Sequence, residues 1–151
     1  MAKKTLIDTP LSELTFRKYE KPDNISKRDL VKKLCLSIGL LQPGDSRDVI
    51  VDIFYIMLTE KKRFLSSEEI RDKVMDFREK NRLVLHGIAP SNIRRQLKRL
   101  RDIFFVEKIK NKYRISENSS VSDIYREKIV QYIFGSINNR IKEYLIEIDS
   151  F

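Results

Sequence analysis

The chain has 151 residues, a length that favours one domain with terminal additions over two full domains. Hydrophobic residues make up 41% of it and only four Gly and four Pro occur, which excludes a low-complexity or collagen-like chain. There are 31 Lys and Arg against 22 Asp and Glu, and the resulting net charge of +9 favours a polyanionic partner, either nucleic acid or an anionic membrane surface.

Residues 1–22 are weakly patterned and carry Pro10 and Pro22, so we predict an N-terminal arm that is partly mobile. Three of its apolar side chains are candidates for docking onto the body: Leu11, Leu14 and Phe16.

Two apolar helices are predicted next. The first begins near Ser26, where Asp29 three residues later resembles a capping box. One of its faces is apolar: Leu30, Leu34, Ile38 and Leu41. Cys35 lies on the apolar side and is interpreted as a small core residue; as the single cysteine it excludes an internal disulfide. The second helix begins at Asp45 or Ser46 and has apolar residues at helical spacing: Val49, Ile50, Ile53, Phe54, Met57 and Leu58.

A stub of strand at Phe64 and Leu65 precedes a third helix. Ser66 and Glu69 form a capping box, and the buried face is predicted to be Ile70, Val74 and Phe77. A longer connection follows at 82–89. It contains the only histidine, His86, which has no Cys or His cluster nearby and is interpreted as incidental.

A fourth helix is predicted from Pro90, which suits a first turn. Its apolar residues recur every three or four positions: Ile93, Leu97, Leu100 and Phe104. The period then changes to two over Phe105–Ile109 and again over Lys112–Ile115, which predicts a β-hairpin with Lys110 and Asn111 at its tip. The turn type is left open because no Gly follows the Asn.

The last predicted element is a helix over 122–151, capped by Ser122. Its apolar residues are spaced alternately four and three apart: Val130, Phe134, Ile137, Ile141, Tyr144 and Ile148. This heptad pattern favours a dimerisation helix, and the alternative is a helix that packs back on its own domain. Gly135 lowers helix propensity there and is a candidate site of close helix approach.

This order of elements resembles winged helix-turn-helix regulators, the broad class that includes MarR-like and related archaeal and bacterial repressors. The resemblance covers about 45–116 and depends on three segments: Ser66–Ile70, Pro90–Leu100 and Phe105–Ile115. It implies a mainly α fold with a small β-hairpin wing, in a domain over 23–117 followed by a long C-terminal helix. It also implies that helix 91–102 enters the major groove of DNA, with a wing at 105–115. The connection at 81–89 is longer than the usual tight turn, and the wing is short.

The candidate DNA-binding residues lie opposite the apolar face of the fourth helix and on the hairpin. Asn92, Arg94 and Arg95 are assigned to base edges, because paired hydrogen-bonding groups of Asn and Arg match adenine and guanine. Ser91 and Lys98 are assigned to phosphates. Arg99 is the remaining candidate DNA-binding residue on the fourth helix. The wing contributes Lys108, Lys110, Asn111 and Lys112, with Arg114 in support.

Charge is concentrated in this region. Residues 94–114 carry nine Lys or Arg against two acids, whereas the rest of the chain carries 22 against 20. We therefore expect a sequence-specific double-stranded DNA-binding protein, acting as a homodimeric transcriptional regulator. The alternatives are a winged-helix protein-interaction module in a replication, segregation or transcription complex, and an RNA-binding winged helix.

Other classes are disfavoured. No Gly-rich phosphate loop, Ser/His/Asp arrangement or HExxH motif occurs, so we expect neither an enzyme nor a cofactor or metal site. No apolar run reaches the roughly 18 residues of a membrane span, and the N-terminal residues lack the apolar block typical of a signal peptide. The expected location is the cytoplasm, in association with the nucleoid.

Overall fold

The computed structural model describes residues 6–151, and it is mainly helical with a small three-stranded antiparallel sheet and a long C-terminal helix. This coarse architecture confirms the expectation. The first part of the chain contains α1 (Lys27–Ser37), α2 (Val49–Thr59), β1 (Leu65–Ser66), α3 (Ser67–Lys80), α4 (Pro90–Asp102), β2 (Val106–Ile109) and β3 (Lys112–Ile115). A 3₁₀ turn (Ser116–Asn118) leads into α5 (Val121–Ile124), a π-helical stretch (Tyr125–Phe134) and α6 (Gly135–Asp149). No helix within residues 6–151 combines the length and hydrophobicity needed to cross a bilayer.

Helix α2 forms the centre of the core. It is apolar on nearly all sides, so it must be surrounded by other elements, and α1, α3 and α4 pack around it. The fully buried side chains that meet there come from every helix of the body: Cys35, Ile53, Phe54, Ile70, Val74, Ile93, Leu97 and Leu100. Phe105, just before β2, covers the far end with its ring 5.2 Å from that of Phe54. The predicted core role of Cys35 is confirmed.

Capping boxes and helix ends follow the sequence closely at two places. Ser66 Oγ accepts from Glu69 N at 3.1 Å, and Glu69 Oε1 accepts from Ser66 N at 3.3 Å, which confirms the box that starts α3. Ser26 Oγ accepts from Asp29 N at the start of α1. The predicted apolar face of α1 was wrong at Leu30, which is 47% exposed, because Val31 and Cys35 turn inward instead.

Helix α2 starts later than predicted. The carboxylate of Asp45 accepts a hydrogen bond from Arg47 N at 2.9 Å and forms a turn, so the helix begins only at Val49. The loop between α1 and α2 therefore spans residues 38–48, and it lies beside α4.

The sheet has the strand order β1-β3-β2, with Leu65 opposite Tyr113 and Ile109 opposite Lys112. Lys110 and Asn111, between the two strands, both have positive φ (50° and 63°), which identifies a type I′ turn. The hairpin was correctly predicted. Tyr113 in β3 is 4% exposed and belongs to the core, so the wing does not present it to solvent.

The C-terminal helix has two unlike halves. Ser120, and not Ser122, caps it by accepting from Asp123 N at 3.1 Å. Ile124 and Ile129 are buried against the body, and their spacing of five residues suits the i to i+5 hydrogen bonding of the π stretch. In α6, by contrast, no residue is buried.

Gly135 marks the change from π to α and not a close helix contact. A Cβ built there would have Val130 O, 3.8 Å away, as its nearest neighbour. Within the described chain, no other element therefore approaches this glycine.

The N-terminal arm is anchored at its second half. Arg17 N donates to Ser37 O at 2.8 Å, and the guanidinium of Arg17 donates to Leu36 O at 2.9 Å and to Gln42 Oε1 at 2.8 Å. Gly39 has φ of 78°, and a Cβ on it would lie 2.7 Å from Thr15 Cβ, so this glycine permits the arm to pass. Of the docking candidates, Leu14 packs on the core, Phe16 is 46% exposed with its ring centre 6.1 Å from that of Phe134, and Leu11 is exposed. Residues 1–5 of the predicted arm lie outside the described residues.

Candidate nucleic-acid interface

Helix α4 presents a basic face to solvent because its other face is fully buried. Ile93, Leu97 and Leu100 are each 0% exposed, as their spacing predicts. The side chains on the outward side are exposed: Ser91, Arg94, Arg95, Lys98 and Arg101. The helix has no acidic residue in its first turn, so the positive end of its dipole adds to the positive charge of the arginines.

The exposed arginines of this face have no partner within the described chain. Arg94, Arg95 and Arg101 take part in no ion pair or side-chain hydrogen bond among residues 6–151. Lys98 differs, since its Nζ lies 2.9 Å from the carboxylate of Asp102 one turn later. Arg94 and Arg95 are therefore the available guanidinium groups near the start of α4.

Two of the predicted DNA-binding residues on α4 are used inside the protein. Asn92 Nδ2 donates to Gly87 O at 2.7 Å, and Asn92 Oδ1 accepts from Gln96 Nε2 at 3.1 Å. Arg99 donates to Leu40 O at 2.7 Å and to Gln96 Oε1 at 2.8 Å. These bonds fix α4 to the loops on either side of it, so the structure gives Asn92 and Arg99 a positioning role.

A cleft of about 190 Å³ lies between α4 and the loop that joins α1 to α2. Arg47 from the loop and Arg95 from α4 line it, and both are exposed and unpaired in the described part of the chain. Arg47 is not among the residues predicted from the sequence, because it is a single basic residue far along the chain from α4 and only the packing of the loop brings the two together.

The β2–β3 hairpin carries basic side chains at its tip. Lys108, Lys110, Asn111 and Lys112 are exposed. Arg114 is half-buried, with its Nε 2.5 Å from Glu107 Oε1 and its guanidinium 4.4 Å from the centre of the Phe64 ring. Arg114 therefore braces the hairpin against Phe64, just before β1, and its guanidinium is occupied within the protein.

A buried set of charges joins α1, α2 and α3. Asp52 in α2 is 0% exposed; it accepts from Arg28 Nε at 2.8 Å and makes a short hydrogen bond with Arg78. Asp48 accepts from the same two arginines, at 3.0 and 3.3 Å. We call Arg28, Asp48, Asp52 and Arg78 the buried charge cluster. Every buried side-chain nitrogen and oxygen in the described chain has a hydrogen-bond partner, as such a cluster requires.

The cluster also holds the long connection between α3 and α4 in place. Arg78 Nε donates to Val84 O at 2.7 Å. Arg71, seven residues earlier in α3, donates from its Nε to Ile88 O at 2.6 Å. The sequence carried one signal of this arrangement. Asp52 is a lone charge in the apolar run of α2, and a buried carboxylate needs a cationic partner.

The ionisation of two buried groups follows from these contacts. Burial alone would raise the pKa of Asp48, but the hydrogen bonds and charges of Arg28 and Arg78 outweigh it and hold that pKa below its ordinary value. Burial raises the pKa of the Cys35 thiol to about 12, so the thiol stays protonated at neutral pH.

Comparison with known proteins gives no relative: no protein-family model, curated protein or solved structure matches the chain. Among residues 6–151 no group of three or more His, Cys, Asp or Glu side chains is arranged to hold a metal ion. The geometry of α4 and its surroundings is therefore the basis for assigning a function.

Proposed function

We propose that the protein binds double-stranded DNA as a winged helix-turn-helix regulator, with α4 in the major groove. One observation carries the proposal. Arg94 and Arg95 project from the solvent face of a rigidly held helix without any partner in the described chain, beside a hairpin whose tip is rich in lysine. Paired guanidinium donors of this kind suit the O6 and N7 atoms of guanine.

The order and packing of the elements support this architecture. Helix α2, strand β1, helices α3 and α4, and the β2–β3 hairpin follow one another as helices and strands do in winged helix-turn-helix domains. In that fold the second helix of the pair enters the groove and the hairpin serves as a wing. The connection between α3 and α4 is long, but Arg71 and Arg78 fasten it to α3.

The contacts we assign follow from which side chains are exposed. Arg94 and Arg95 read base edges. Exposed hydroxyl and basic groups on both sides of them bind phosphates: Ser91, Lys98, Arg47, Lys108, Lys110 and Lys112. Asn92, Arg99 and Arg114 act by holding this surface in place.

A homodimer is part of the proposal, through the C-terminal helix. Among residues 6–151, no side chain of the distal half of that helix is buried, although this half keeps its apolar heptad pattern. A two-fold dimer of winged helices binds a palindromic site, with half-sites about 10 base pairs apart.

The test is a mobility-shift series with genomic DNA fragments at increasing salt, comparing the wild type with Arg94→Ala/Arg95→Ala. We expect the wild type to bind at about 50 mM salt, with a slope of log affinity on log salt near −5 to −6 for five to seven phosphate contacts. The double variant is expected to lose about a hundredfold or more in affinity.

The matched control is Arg126→Ala/Lys142→Ala, which removes two charges from exposed positions on the C-terminal helix. It should bind DNA like the wild type. Equal losses of DNA affinity in both double variants would mean that binding depends on net charge alone. An absence of binding at about 50 mM salt would overturn the proposal.

A protein-interaction module is the second candidate, favoured by the exposure of Leu30 on α1 and of Ile25 just before it. It predicts no salt-dependent DNA binding, and Leu30→Lys would then abolish its function without changing the fold. An RNA-binding role predicts equal affinity for structured RNA and duplex DNA in the same assay.

A further inference from the structure

The distal half of the C-terminal helix exposes one continuous apolar stripe. Its members are spaced three or four residues apart and therefore share a helix face. The exposed fraction is 50% for Ile141, 51% for Ile148 and 101% for Phe151, which continues the same spacing beyond the helix end. A monomer leaves this stripe in water at a cost that scales with its apolar area.

We propose that the stripe is covered by a second copy of the chain, and that the two helices pair antiparallel. The apolar face and the charges beside it do not depend on any DNA contact. Only the consequence of the pairing for DNA binding rests on the proposed function. Written as a heptad, the stripe places Phe134, Ile141 and Ile148 at one core position and Ile137, Tyr144 and Phe151 at the other. Phe134 lies at the inner end of the stripe, 41% exposed, and its ring centre is 6.1 Å from that of Phe16 in its own chain.

Charges beside the stripe select the orientation. When two such helices run antiparallel with Ile141 opposite Tyr144 of the second copy, Ile137 meets Ile148 and Phe134 meets Phe151. In this register Arg140 lies opposite Glu147 of the second copy, and the two-fold axis repeats the pair. Glu147 has no ion-pair partner among the described residues, and Arg140 has only an exposed contact with Glu143 at 2.9 Å.

Neighbouring arrangements lose these pairs. When one helix is shifted by one heptad in one direction, Arg140 faces Arg140 of the second copy. When it is shifted in the other direction, Glu147 faces Glu147 of the second copy. A parallel pair places Arg140 opposite Leu145, so it gains no ion pair. Like charges that face each other across a helix pair favour other registers, as they do in coiled coils.

The orientation has a consequence for the rest of the molecule. Residues 135–151 carry two basic and three acidic side chains, so the excess positive charge of the chain lies in the body. The antiparallel pair places the two bodies at opposite ends, with their Phe134 residues roughly 25 Å apart along the helix axis at 1.5 Å per residue. A parallel pair would bring two strongly basic bodies together at one end.

Disulfide trapping in the full-length chain tests the orientation. We expect Ile137→Cys and Ile148→Cys, each alone, to remain uncrosslinked under oxidation, and a mixture of the two to form a disulfide-linked dimer. The wild type is the control, since its one cysteine, Cys35, is fully buried. Crosslinking of Ile137→Cys by itself would overturn the antiparallel pair in favour of a parallel one.

Sedimentation with charge-reversed variants tests the pairing and separates it from DNA binding. Arg140→Glu should weaken dimerisation about tenfold, and Arg140→Glu/Glu147→Arg should restore it; Lys142→Glu, on the opposite face, is the matched control. The proposal would be overturned if the wild type stayed monomeric at about 100 μM, or if only a different protein covered the stripe. Half-site binding that still depends on Arg94 and Arg95 would then leave the proposed contact between α4 and DNA standing without the homodimer.

Discussion

Arginine serves two opposite purposes in this molecule. In the buried charge cluster, Arg28 and Arg78 are fully paired with carboxylates and a carbonyl, and they fix the position of helices and loops. On the outward face of α4, Arg94 and Arg95 are exposed to water and have no side-chain partner among residues 6–151. The difference teaches that unsatisfied donors, and not the number of basic residues, mark the candidate interface. Changes in the cluster should affect stability, and changes on α4 should affect binding.

The largest expected effect comes from breaking the cluster. Asp52→Ala leaves Arg78 buried without its main partner, so we expect the free energy of unfolding to fall by about 3–5 kcal/mol, measured by denaturant titration. Asp76→Ala removes an exposed carboxylate paired with Lys80 on α3 and should change stability by less than about 1 kcal/mol. A loss that small in Asp52→Ala would contradict the role of the cluster.

A smaller effect is expected from the exposed side of the comparison. Lys110→Ala at the hairpin tip should leave the unfolding free energy unchanged, because the side chain touches only solvent. It should weaken DNA binding to a similar degree for all sequences and make the salt slope shallower by about 0.9, as expected for one lost phosphate contact. An unchanged slope would remove the hairpin tip from the interface.

The smallest effect concerns the pH dependence of the cluster. The folded pKa of Asp48 is lowered, so its contribution to stability is fully present above the unfolded value of about 3.9 and is lost as pH falls through the folded value. Unfolding measured from pH 6 down to pH 2 should therefore show a decline that is smaller in Asp48→Asn. Parallel curves for the two proteins would show that Asp48 does not carry this dependence.

Local features were predictable from the sequence because they depend on neighbours along the chain. The capping box at Ser66 and Glu69, the inward face of α4 and the hairpin around Lys110 all follow from spacing and residue type. Only the turn type needed the backbone itself. The start of α2 differs from the predicted start because the side chain of Asp45 accepts a hydrogen bond from the backbone before the helix.

The candidate site was predictable in part. Spacing placed Arg94 and Arg95 on the outward face of α4, but it could not show that the amide of Asn92 turns back to Gly87. Nor could it show Arg47 beside Arg95, or Arg78 reaching both Asp52 and the connection at Val84. These contacts join residues far apart in the chain, where no periodicity relates them.

The sequence by itself determined the helices, the hairpin, the inward face of α4 and the concentration of positive charge around it, because hydrophobic period and capping act over a few residues. Only the tertiary structure decided which basic groups are free. A guanidinium is available to a partner only where packing brings no carboxylate or carbonyl within reach, and that depends on the path of the whole chain. For this protein, that condition leaves Arg94 and Arg95 exposed and keeps Arg78 inside.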